Sequence, residues 1–188
     1  MSVRLVMGFA ALSLAACDSG EVPTPSEQQT LRPPAPEVAA DIVKLNGDGL
    51  AAGAEAFYFA AGRTEVDTAL AGVLGDASRN GANEECGAGP MQFTDYPGGL
   101  TVNFQNGSLV GWLHRQPDDG EAAPTGEVSI VGDVQLGTAQ AEAEAADGYL
   151  TITESTLGEE FSLGDKIGGF FEGGSVSMLY AGTQCFFR

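Results

Sequence analysis

The sequence predicts an α+β body of two tandem units, each a helix packed on an antiparallel β-sheet meander, after a signal peptide and a disordered linker. Three observations predict it: an amphipathic helix followed by β-rich runs, a hairpin signal that recurs 67 residues later, and a short polar segment between the halves. The predicted first unit spans residues 41–115, the linker between the units 116–126, and the second unit 127–188.

The first unit begins with its clearest element, a helix over residues 64–75. Thr64 and Asp67 have the spacing of a capping box, and Gly75 ends the helical pattern. The apolar positions on its core-facing side are Val66, Leu70, Val73 and Leu74. Asn106-Gly107 then separates two β-rich apolar runs, which is the strongest short signal for a hairpin. We therefore expect a helix whose apolar face packs on an antiparallel meander.

The second unit repeats this plan. Residues 138–148 are rich in alanine and end in glycine, which predicts a second helix, and a strand follows it. The run around Gly173-Gly174 matches the run around Asn106-Gly107 in the placement of its phenylalanine, glycine and serine. We expect a second hairpin to turn there. Between the halves, residues 116–126 have the proline, glycine and acidic composition of a linker.

The amino terminus has the three parts of a secretory signal over residues 1–16. Arg4 precedes an apolar stretch that is too short to span a bilayer, and small residues follow. Leu14-Ala15-Ala16-Cys17 resembles the bacterial lipobox, whose cysteine receives a diacylglycerol and further acyl chains such as palmitate. The resemblance implies that Cys17 is the lipidated first residue of the mature chain; the alternative is an ordinary signal peptide with a chance cysteine. Residues 17–40, rich in proline, then form a disordered tether.

These features place the body at the cell membrane, lipid-anchored and facing the periplasm. In lipoproteins of enteric type, an aspartate after the cysteine, here Asp18, favours retention in the inner membrane. The chain has 26 acidic residues against 8 basic ones, a formal net charge of −18. Nucleic acid is excluded as a partner, because phosphate binding needs clusters of Lys and Arg. An anionic lipid surface also repels the body, so a covalent anchor is physically sensible.

Two cysteines remain once Cys17 carries lipid. Export places Cys86 and Cys185 in an oxidising compartment, where an even pair is usually a disulfide. Such a bond joins the first unit to the last strand of the second. The alternative leaves Cys185 as a buried free thiol.

The sequence shows no catalytic, metal or cofactor motif. His114 is the single histidine, so a site of several histidines is excluded. A nucleophile pair of Cys86 and His114 needs only proximity, but nothing in the sequence brings the two together. We expect no cofactor and no bound metal. The alternative function is an envelope hydrolase with a dispersed acidic site that the sequence does not reveal.

The chain resembles the small envelope lipoproteins of the BamE (SmpA/OmlA) type in three features: a lipobox, a tether, and a helix that leads into an antiparallel sheet. Two such units in tandem resemble the β-lactamase inhibitory protein. The resemblance implies a non-catalytic protein that binds another envelope protein, in assembly, stability or inhibition. Trp112 and Tyr180 are the candidate partner-binding aromatics, with core packing as the alternative role. The sequence names neither the partner nor any small-molecule ligand.

Overall fold

The computed structural model describes residues 40–186, so the predicted signal peptide, Cys17 and almost all of the predicted tether lie outside the described residues. Twelve strands and two helices make up the described part. The strands are β1 (Ile42–Asn46), β2 (Gly49–Ala52), β3 (Glu55–Tyr58), β4 (Arg79–Asn83), β5 (Met91–Tyr96), β6 (Leu100–Gln105), β7 (Ser108–Arg115), β8 (Glu127–Ile130), β9 (Tyr149–Ile152), β10 (Glu159–Leu163), β11 (Ile167–Glu172) and β12 (Ser175–Gly182). The helices are α1 (Arg63–Leu74) and α2 (Gln140–Ala143). Within residues 40–186 no helix is long and apolar enough to cross a membrane.

Eight strands form one antiparallel sheet in the order β4-β5-β6-β7-β12-β11-β10-β9. At its centre β7 pairs with β12, so that Trp112 lies opposite Ala181 and His114 opposite Leu179. The meander β4 to β7 lies on one side of this pair, and the strands β9 to β12 lie on the other. Backbone hydrogen bonds therefore join the two halves of the sequence into a single large sheet.

A smaller sheet has the strand order β3-β2-β1-β8. β1 is antiparallel to β2 but parallel to β8, where Val43 lies opposite Val128. Because β1 comes from the first half of the chain and β8 from the second, this sheet also connects the two halves. Val43 and Leu45 of β1 are fully buried, so the small sheet contributes directly to the core.

Helix α1 contacts β1 and β2 of the small sheet and β5 and β7 of the large sheet. The four apolar positions that the sequence places on its core face are all buried. Its N-cap is Gly62, which has no side chain to cap the helix. Asp67 instead accepts hydrogen bonds from Arg63 Nε at 3.0 Å and from the Tyr96 hydroxyl at 2.9 Å. The predicted capping box does not form, because Asp67 pairs with these two side chains.

One face of the large sheet, the inner face, packs with the small sheet and α1 in one core. The largest fully buried side chains of this core are Trp112, Tyr96, Phe104, Phe161, Leu45, Leu50, Leu70, Leu74, Leu100, Leu109 and Leu179. Burying an aromatic or aliphatic side chain of this size contributes about 1.5–3 kcal/mol. Residues from both halves of the chain therefore stabilise the same core.

The two predicted hairpin turns form where the sequence places them. Asn106 and Gly107 have φ of 51° and 78°, and Gly173 and Gly174 have φ of 60° and 81°, as the tight turn between twisted strands requires. Each hairpin also has a register irregularity, between Asn103 and Phe104 in the first and 67 residues later in the second. The repeat in the sequence is thus a repeat of hairpins.

The predicted fold class is wrong. The described chain is mostly β, and it contains one eight-stranded antiparallel sheet and one small mixed sheet instead of two helix-on-sheet units. Residues of both predicted units belong to one compact body, which includes all the described residues, 40–186. The physical reason is the β7–β12 pair, which removes an exposed strand edge from each meander by joining the two.

The second helix is much shorter than the predicted 138–148. It comprises Gln140–Ala143, and Ala143 is its single buried residue. The segment lacks large apolar residues at helical spacing, so no apolar stripe anchors further turns to the core. Gly148, at φ 78°, turns the chain into β9.

The predicted linker, residues 116–126, has no regular secondary structure, but hydrogen bonds hold it to the body. The Glu121 carboxylate accepts hydrogen bonds from Gly99 N at 3.1 Å and from Arg115 Nη2 at 3.2 Å. The Thr125 hydroxyl donates to the Val73 carbonyl at 2.7 Å, next to the end of α1. This segment therefore packs as part of the body.

Candidate functional site

The candidate site is the outer face of the large sheet, opposite the core. Strand register places one row of residues across it: Leu113, Tyr180, Gly168, Ser162 and Leu150 lie side by side on β7, β12, β11, β10 and β9. Leu150 is 64% exposed, and Leu113 and Tyr180 are half-buried. The outer face therefore presents apolar side chains to solvent.

Tyr180 is held in a fixed position on this face. Its ring lies over Gly168, where an added Cβ would lie 2.1 Å from the Tyr180 Cζ atom. Its hydroxyl donates to Glu160 Oε1 at 2.5 Å, and Glu160 is 2% exposed. A glycine in the strand interior is what allows the ring to approach the backbone so closely. Contacts from Gly168 and Glu160 therefore fix both the ring and the hydroxyl of the tyrosine.

Three aromatic rings form a cluster at this position. The Phe170 and Tyr180 rings stack with centroids 5.7 Å apart, and the Phe186 ring meets both edge-on, at 5.6 Å from Phe170 and 5.0 Å from Tyr180. Phe186 belongs to residues 183–186, here called the strap, which follow β12. All three rings are half-buried. Tyr and other large aromatic side chains supply a large contact area at a small cost in conformational entropy.

Two shallow grooves border the Phe186 ring. One, of about 360 Å³, is lined by Phe170, Met178 and Leu157 among others. The other, of about 200 Å³, is lined by Phe93 and Leu113 on its apolar side. Each groove can accept one or two side chains of a partner, as contact pockets in protein interfaces do.

Trp112, the other candidate aromatic, lies on the inner face and is fully buried. Its indole Nε1 donates to the Asn46 carbonyl at 2.8 Å, which links the large sheet to the small one. The structure therefore brings Tyr180 to the surface and places Trp112 in the core.

His114 also lies on the inner face and is 7% exposed. Its Nε2 atom lies 3.1 Å from the Gly98 carbonyl, which can only accept a hydrogen bond, so Nε2 carries the proton. Nδ1 is buried without a partner among the described residues. Burial lowers the pKa of His114 to about 4, and the hydrogen bond to Gly98 offsets this in part. The imidazole is therefore neutral at pH 7.

Cys86 and Cys185 are free thiols in the structure. Cys86 is buried in the turn between β4 and β5, and Cys185 lies half-buried in the strap. Within residues 40–186 no contact joins Cys86 to His114, whose ring faces the core. The structure thus does not assemble the nucleophile pair considered from the sequence.

A polar cleft beside the outer face contains an ion pair. The cleft, of about 560 Å³, is lined by Asp48, Ser162, Lys166 and Tyr180 among others. Lys166 Nζ lies 2.7 Å from Asp48 Oδ1, and this hydrogen bond and charge raise the pKa of Lys166. Among the described residues no three His, Cys, Asp or Glu side chains form a group that could hold a metal ion.

Two residues that hold Tyr180 in place were not predicted from the sequence: Gly168, which lies beneath its ring, and Glu160, which accepts the hydrogen bond from its hydroxyl. A signal for the first was available, because the doublet Gly168-Gly169 interrupts a β-rich run, and glycine inside a strand often marks a close approach. No local signal indicates Glu160, since its partner is 20 residues away in the chain.

Comparison of the chain with protein-family models, with curated proteins and with solved structures found no match. The resemblance to small envelope lipoproteins therefore stays a prediction, and the function is argued from the residues themselves.

Proposed function

We propose that this chain is a lipid-anchored envelope protein, facing the periplasm, whose β body binds another envelope protein through the outer face of its large sheet. The lipobox-like Leu14-Ala15-Ala16-Cys17 and the proline-rich residues 17–40 support the anchor and the tether. The cluster of Phe170, Tyr180 and Phe186 carries the proposal of a binding surface. Its role is non-catalytic.

The aromatic cluster has the features that interface hot spots share. Its rings are half-buried and preordered, so little side-chain freedom is lost when a partner docks. The grooves on either side of Phe186 offer pockets for the partner's apolar side chains. Leu150 on β9, opposite Ser162, adds a further exposed apolar side chain to the same face. Interface energy concentrates in aromatic anchors of this kind.

The charge of the body favours a basic partner. Arg63, Arg79, Arg115 and Lys166 are all ion-paired with acids of the same chain. Lys44 is the one basic residue within residues 40–186 that forms no ion pair, whereas acidic residues are abundant. A partner surface with Lys and Arg around an apolar centre is therefore steered toward this body, and an acidic partner is repelled.

The hydrolase alternative has less support. Hydrolysis by paired carboxylates needs two acids that face one substrate. Two acids, Asp48 and Asp165, line the 560 Å³ cleft, but Asp48 is paired with Lys166 at 2.7 Å. Lys166, which lines that cleft, stays protonated because Asp48 raises its pKa, so it does not act as a general base.

Crosslinking in native membranes followed by capture of the tagged full-length chain tests the proposal. The test variant is Leu150→Lys, which places a cation on the outer face; the matched control is Val131→Lys, an exposed apolar residue in the segment after β8. We expect wild type and Val131→Lys to capture the same protein, and Leu150→Lys to capture about tenfold less, a change of about 1.4 kcal/mol. Equal capture by both variants contradicts binding through the outer face.

A further inference from the structure

The strap, residues 183–186, crosses the outer face and is held there by side-chain amides. Asn103 Nδ2, on β6, donates to the Thr183 carbonyl at 3.4 Å and to Gln184 Oε1 at 3.0 Å. Gln184 Nε2 in turn donates to the Trp112 carbonyl at 3.0 Å. These bonds tie the first half of the strap to the centre of the large sheet.

The second half of the strap meets the turn between β4 and β5. Asn83 Nδ2, at the end of β4, donates to Cys185 Sγ at 3.2 Å. Asn83 Oδ1 accepts a hydrogen bond from Glu85 N at 3.0 Å, which turns the chain toward Cys86. Cys86, three residues after Asn83 in this turn, is 6% exposed. The two cysteines thus share one corner of the molecule.

We infer that Cys86 and Cys185 form a disulfide that clasps the strap to the β4–β5 turn and keeps Phe186 over the outer face. Reduction of this bond frees the end of the strap and releases Phe186, which lines both grooves of the outer face. The disulfide rests on one part of the proposed function, export, because export places the chain in an oxidising compartment that supplies the oxidant.

The bond forms by exchange with a disulfide donor. The thiolate of Cys185, the more exposed of the two, attacks one sulfur of the donor, which releases one donor thiolate and leaves a mixed disulfide on Cys185. The thiolate of Cys86 then attacks the Cys185 sulfur and releases the second donor thiolate. The two protons of the protein thiols pass to the two donor thiolates. One donor disulfide is reduced to two thiols as the two cysteines are oxidised.

Oxidised glutathione is the probe that tests the bond. The reduced full-length chain is incubated with it, unfolded, alkylated and digested. We expect a peptide containing Cys86 linked to one containing Cys185, with neither thiol alkylated. In Cys86→Ser the exchange stops halfway, so we expect one glutathione retained on Cys185. Alkylation of both thiols in the wild type, or a link formed between two molecules, overturns the clasp.

Hydrogen exchange tests the effect on the strap. We expect amides of residues 183–186 to exchange at least about tenfold faster in the reduced chain than in the oxidised chain, because the clasp opposes local opening. Equal exchange rates overturn its role in holding the strap. Because both measurements use purified protein, a failure here leaves the partner-capture result unaffected. Loss of partner capture with the clasp intact contradicts the proposed function alone.

Discussion

Replacement of His114 by glutamine is expected to change how the stability of the body depends on pH. In the folded chain the imidazole is buried, its Nε2–H donates to the Gly98 carbonyl, and Nδ1 has no partner among the described residues. A proton on Nδ1 adds a charge and a donor that nothing nearby satisfies, so the folded pKa is about 4, against 6.5 for an exposed histidine. His114→Gln keeps an N–H for Gly98 but cannot take up the proton.

The sign follows from proton binding. As pH falls below 6.5, the unfolded chain binds a proton at His114 before the folded chain does, so stability falls until pH reaches the folded pKa of about 4. Linkage gives a loss of about 2 kcal/mol between pH 7 and pH 5, and about 3 kcal/mol by pH 4.

Urea unfolding of the full chain at pH 7 and pH 5, at constant ionic strength, measures this effect. The wild type should lose about 2 kcal/mol more than His114→Gln between the two values, because the carboxylates contribute equally in both proteins. An equal loss in both proteins refutes the conclusion that His114 is neutral and unsatisfied in the folded state.

Three further outcomes are expected. Gly168→Ala should lower the free energy of unfolding by about 1–3 kcal/mol, because the new Cβ meets the Tyr180 ring above it. The control, Gly72→Ala, lies in open space on α1 and should raise the free energy of unfolding by about 0.5–1 kcal/mol in the same urea assay. Trp112→Phe should cost about 1–3 kcal/mol, since the Asn46 carbonyl loses its donor, and an unchanged urea midpoint contradicts this link between the sheets. Cys17→Ser should abolish labelling with a clickable fatty acid and release the chain from membranes; retained labelling contradicts the anchor.

The features that the sequence predicted correctly are local. The spacing of Val66 and Leu70 identifies the buried face of α1, and Asn106-Gly107 identifies a turn because both residues adopt positive φ readily. Such signals lie within a few residues of each other. They do not depend on what packs around them.

The features that it missed depend on distant pairing. Nothing in β7 or β12 alone indicates that these strands join the two halves into one sheet. The same pairing decides that Trp112 faces the core and Tyr180 the outer face. Alternation could not separate them, because a register irregularity interrupts the period of two in each hairpin, between Asn103 and Phe104 and between Phe170 and Phe171.

A photo-crosslinking amino acid at Met178 tests the central claim most directly. Met178 lies opposite Phe170 on the outer face and lines the 360 Å³ groove, whereas Val131, the control position, is exposed in the segment after β8 and does not line that groove. Irradiation of intact cells should give one discrete adduct with a basic envelope protein from Met178, and none from Val131. The adduct should weaken when Leu150→Lys is added. Adducts of equal yield from both positions, or none from Met178, contradict binding through the outer face.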